Sequence, residues 1–74
     1  MSTKIKNVVN SFAFDKVAAL LESGNIVTPQ VLDAWEFRLY EIMQKQDQNI
    51  GRNSIREILV HYILSEFDVA AFGV

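Results

Sequence analysis

The chain reads as an all-α, three-helix domain, and three observations carry that reading. Apolar residues recur at helical spacing through three separate segments. Start and stop residues punctuate those segments at Gly24, Thr28-Pro29 and Ser54. The alternation that marks strands is absent, apart from the short pair Ile26-Val27. The predicted helices span residues 10–23, 29–46 and 54–72 of a single domain 1–74, with residues 1–7 as a flexible arm.

The first helix is set off by its neighbours. Residues 1–7 are polar except for Met1 and Ile5, and chain termini fray unless something ties them down. Asn10 and Ser11 are both good N-caps, so the helix is expected to start there. Phe14, Val17, Ala18 and Leu21 then share one face, with Ala13 and Leu20 beside it. Gly24 can take the left-handed conformation that closes a helix.

The second helix has the clearest start in the chain. Thr28 is an N-cap, and Pro29 occupies the first helical position, where its missing N–H costs nothing. Its expected inner stripe is Val31, Leu32, Trp35, Leu39, Ile42 and Met43, with Trp35 the largest contributor. Phe37 lies off this stripe, beside Asp33, Glu41 and Gln44. An aromatic on a charged face points to contact with another molecule. A polar run from Gln44 to Asn53 is expected to end the helix, with its stop near Gly51.

The third helix opens on Ser54 and Glu57, the spacing of a capping box. Apolar residues then fall in two stripes. Ile55, Ile58, Leu59, Tyr62 and Val69 form one; Val60, Leu64, Phe67 and Ala71 form a second, roughly opposite. A helix with two apolar faces must be covered on both, and 74 residues leave little chain to do it. The expectation is therefore an oligomer, with Val60, Leu64 and Phe67 at the contact.

Composition narrows the function classes. Half the residues are hydrophobic, which opposes disorder. There is no cysteine, so neither disulfides nor a cysteine-bearing zinc site can reinforce this small core. One histidine makes a histidine metal site a poor prospect. The net charge of −2 gives no general attraction to nucleic acid or an anionic membrane. No apolar run has the length of a membrane span. A cytoplasmic chain without cofactor, metal or membrane association is expected.

Three groups of residues could carry chemistry. His61 lies between Glu57 and Asp68, and a surface ion pair with Glu57 is the expected role. Glu66 sits near the first stripe, where pairing with a cation of a neighbouring helix is expected. Lys45, Arg52, Asn53 and Arg56 form a locally basic, amide-rich patch at the start of the third helix. Such residues at a helix N-terminus suit phosphate and base edges. The acidic net charge and the apolar third helix count against that use.

No glycine-rich phosphate loop, catalytic triad order or acidic metal spacing is present, so no enzyme is expected. The expected function is a small non-catalytic protein–protein interaction module, acting as an adaptor, inhibitor or assembly factor. Its expected partners are a second copy and a larger protein. Phe37, Val60, Leu64 and Phe67 are its expected interface. The alternative is a small dimeric helix-turn-helix-like regulator touching nucleic acid through Lys45, Arg52, Asn53 and Arg56.

Overall fold

The computed structural model describes residues 3–73, and among these the chain is all-helical, with no strand. Three α-helices follow one another: α1 (Thr3–Glu22), α2 (Pro29–Lys45) and α3 (Arg52–Phe67). A short 3-10 helix, Val69–Phe72, completes the order.

α1 begins well before the expected caps. Ile5, Val9, Ala13 and Val17 are all buried and lie four apart, so they form one continuous ladder along the helix. That ladder draws residues 3–7, expected as part of a flexible arm, into regular helix and leaves Asn10 and Ser11 in its middle. Met1 and Ser2 of that arm lie outside the described residues. The buried face also differs from the expected one, and Phe14 is 51% exposed. At the other end Gly24 adopts φ +81°, the Gly24 N–H donates to Leu21 O, and the Asn25 N–H donates to Leu20 O. This is a Schellman closure, where glycine avoids the Cβ clash of the left-handed region.

α2 starts where its cap residues place it. The Thr28 hydroxyl accepts from the Val31 N–H at 3.2 Å. Its buried residues are Leu32, Glu36, Leu39 and Met43. At 3.6 residues per turn, this face is turned by roughly 60° from the expected stripe. Val31, Trp35 and Ile42 therefore move to the half-buried edge, and Glu36 takes the inward place. The helix closes four residues before Gly51 on a second Schellman turn, with Asp47 at φ +55°, Asp47 N–H to Gln44 O and Gln48 N–H to Met43 O.

Gly51 is the N-cap of α3, with no side-chain cap, so the expected box of Ser54 and Glu57 is not the start of this helix. Ile55, Leu59 and Ile63 are fully buried. Ile63 lies between the two expected stripes and joins them into one broad face. α3 packs against α1 on one side and α2 on the other, while α1 and α2 meet only sparsely. The chain itself thus covers much of both faces that were expected to need a second copy. Val60 and Phe67 are half-buried, leaving Leu64, 41% exposed, on the outside of α3.

The third helix also stops early. At Asp68 the backbone turns to φ +72°, and the Asp68 carboxylate accepts from the Val69 N–H to start the 3-10 helix. Ala71 is buried there, and its carbonyl accepts from the Val27 N–H at 2.7 Å. The C-terminal segment is thereby tied to the link between α1 and α2.

Candidate functional site

The basic residues at the start of α3 are engaged within the chain. Arg52 donates from Nε and Nη2 to Glu36 Oε2 at 2.9 and 2.8 Å. Arg56 Nη1 reaches Asp33 Oδ1 at 2.6 Å and Glu36 Oε1 at 3.3 Å. These bonds, to Asp33 first and Glu36 second, hold the Arg56 guanidinium above its ordinary pKa. Glu36 is 7% exposed, and both of its oxygens face an arginine. Two cations and two carboxylates so close together present little net field to a phosphate. Lys45 and Asn53, the other members of the basic patch, are exposed.

Phe37 lies outside this network on α2 and is 51% exposed. The Arg52 guanidinium carbon stands 5.6 Å from its ring centroid, a cation–π distance. One arginine therefore spans a buried acid and an exposed aromatic ring.

The outer surface of α3 carries two adjoining shallow grooves, each about 590 Å³. They share Glu57 and His61 as a common ridge. On one side lie Asn53, Arg56, Val60 and Leu64, all from α3. On the other, Ile58, Tyr62, Ser65 and Glu66 face Lys6 and Asn10 of α1. Tyr62 also lines a third groove, of about 400 Å³, with Phe14 and Asp15. The Phe14 ring meets Phe67 at 6.0 Å and 40°. Apolar side chains thus lie on both sides of the Glu57–His61 ridge, Val60 and Leu64 on one and Ile58 and Tyr62 on the other. Of the expected interface residues, Val60 and Leu64 share one groove, Phe67 belongs to the seam, and Phe37 stands apart on α2.

His61 is exposed, and among the described residues it forms no ion pair with Glu57. The Ser65 hydroxyl donates to the His61 carbonyl at 2.9 Å, a local backbone bond rather than a bond to the imidazole. Glu66 is exposed and, among the described residues, forms no ion pair, although Lys6 of α1 lines the same groove. The effect of Glu66 falls on Tyr62. Burial, then Glu66, then Asp15 push the Tyr62 hydroxyl above its ordinary value. Among the described residues no group of His, Asp and Glu is placed to hold a metal ion. No helix there is long and apolar enough to cross a membrane.

The family model described as "Family of unknown function (DUF7570)" matches residues 6–74. The chain belongs to that family. It is also 64% identical over 74 residues to the "Uncharacterized 12.7 kDa protein in Gp55-nrdG intergenic region" of Enterobacteria phage T4. That match covers all of this chain and 68% of the phage protein. No solved structure matches the chain at a significant level.

Two features of this DUF7570 chain escape sequence reasoning. Glu36 looks like an ordinary surface acid until residues 16 and 20 positions away fold onto it. Phe14 sits at core spacing, yet its exposure follows from how α1 is turned on α3. The signal that could have found it is the ladder from Ile5 to Val17, which places Phe14 one step off the buried line.

Proposed function

We propose that this chain is a small non-catalytic protein-binding module that occupies a surface on a larger protein, as an adaptor, inhibitor or assembly factor. The observation that supports this reading is the outer surface of α3. Leu64 and Val60 line one groove, and Ile58 and Tyr62 line the next, across the ridge of Glu57 and His61. Apolar side chains gathered in two adjoining grooves with a polar ridge between them suit a protein contact, whereas scattered single apolar residues mean little. Phe37, flanked by Arg52, is a second contact in this proposal, since aromatics and arginine dominate binding energetics. The phage source of the 64% identical relative makes the cytoplasm of an infected bacterium the setting in which the partner is sought. Self-association through the same face is part of the proposal, with Val60, Leu64 and Phe67 at the contact.

The test compares wild type with Leu64→Asp in sedimentation and in affinity capture from infected cells. Leu64 is exposed enough for the variant to fold, so lost association with retained helicity supports the reading. A wild-type protein that sediments as a monomer and captures no protein overturns it. Capture of nucleic acid that weakens steeply with salt replaces it with the regulator reading.

A further inference from the structure

We infer that the groove between α1 and α3 receives a basic amphipathic segment of the protein partner, its apolar side on Ile58, Tyr62 and Phe14 and its cations against Asp15, Glu57 and Glu66. This rests on the protein-binding reading and names the chemistry of the partner.

The first support is how charge is divided over the molecule. Arg52 and Arg56 are drawn onto Glu36 and Asp33, and Arg38 pairs with Glu41. The α2 side thereby neutralises itself. On the α1–α3 side, Asp15, Glu57 and Glu66 form no ion pair among the described residues. Lys6 lines that groove too, and the acids outnumber it.

The second support is geometric: where the apolar side chains and the acids stand. The groove holds Ile58 and Tyr62 among polar side chains, and Tyr62 also lines the neighbouring groove that holds Phe14. An amphipathic helix or extended segment lays apolar anchors onto such side chains and leaves its polar groups at the walls. Acids stand on both walls, Asp15 on α1 and Glu57 and Glu66 on α3. The field of two of them reaches the same point from opposite sides, since both Asp15 and Glu66 push the Tyr62 hydroxyl upward. A cation brought between them relieves that repulsion, which an acidic or neutral segment cannot do.

The experiment is an amide NMR titration of the full, isotopically labelled chain. The probe is a synthetic amphipathic peptide of leucine and lysine; the control has glutamate at every lysine. The expected result is shifts centred on Glu57, Tyr62, Glu66 and Phe14 with the lysine peptide alone, weakening as salt rises. The triple substitution Asp15→Asn, Glu57→Gln, Glu66→Gln, all at exposed positions, should weaken that binding roughly tenfold while leaving the helical spectrum unchanged. Equal binding of the glutamate peptide, shifts centred on Phe37 and Arg52, no binding, or a triple variant that binds as well as wild type overturns the inference. If the peptide fails while Leu64→Asp still abolishes partner capture, the charge assignment falls and the protein-binding module stands.

Discussion

A carboxylate with so little exposed surface is stable where cations reach it, and Glu36 is reached by two. The arginines are the more solvated partners, with side chains 47% and 37% exposed. Removing one side of this network is therefore not equivalent to removing the other. Arg52→Ala with Arg56→Ala strands a buried charge and should cost about 2–3 kcal/mol. Glu36→Leu returns Arg52 to water and leaves Arg56 on Asp33, and it should cost less than about 1 kcal/mol. Urea midpoints at unchanged slope measure both; equal losses would mean that the acid is not desolvated. Tyr62 offers a test by pH. Its phenol is raised in the folded state, so the neutral form is favoured there. The associated stability is fully present below the ordinary tyrosine pKa of about 10 and is lost as pH climbs through the folded value. Tyrosinate absorbance should show a late-titrating component that Tyr62→Phe removes and that Glu66→Gln moves back toward the ordinary value. Glu36 was not legible in the sequence, because residue type and local spacing do not report a partner 16 positions away; Phe14 was misplaced because α1 offers two apolar lines and the ladder from Ile5 to Val17 is the buried one.

Helix boundaries were legible where the signal is chemical and local. Thr28-Pro29 and Gly24 act as read, because a cap or a left-handed turn is settled by a few neighbouring atoms. They were not legible where packing overrides local polarity. Thr3 to Asn7 look like a frayed arm, yet burial of Ile5 and Val9 extends α1 through them. The C-terminal stretch looks like continuous helix, yet it breaks at Asp68 so that Ala71 can return to Val27. The closure of α2 supplies a prediction at this scale. Asp47 holds φ +55°, a conformation that costs an L-residue and suits glycine. Asp47→Gly should raise stability by about 0.5–1 kcal/mol, seen as a higher thermal midpoint. A lower midpoint would mean that the Asp47 side chain contributes more to the turn than its backbone costs. Ile63, fully buried in the middle of α3, gives the opposite case. Ile63→Ala should cost about 2–5 kcal/mol, a large share of the stability of a chain this short.

The all-α class and the three-helix count follow from apolar periodicity, which survives errors in which residue points inward. The arrangement of the helices does not follow from it, because periodicity says that a face is buried and not what buries it. α3 was read as needing a second copy, and in the structure it lies between α1 and α2. Its removal would leave two helices that scarcely touch. That arrangement has a consequence for synthesis on the ribosome. α1 and α2 are made before α3, the helix on which both pack, so they have little core to fold around until α3 follows. Folding of α1 and α2 onto a common core therefore waits until α3 has left the exit tunnel. A nascent chain stalled just short of Arg52 should be cut readily by protease, and the same chain extended beyond Ala71 and clear of the exit tunnel should resist.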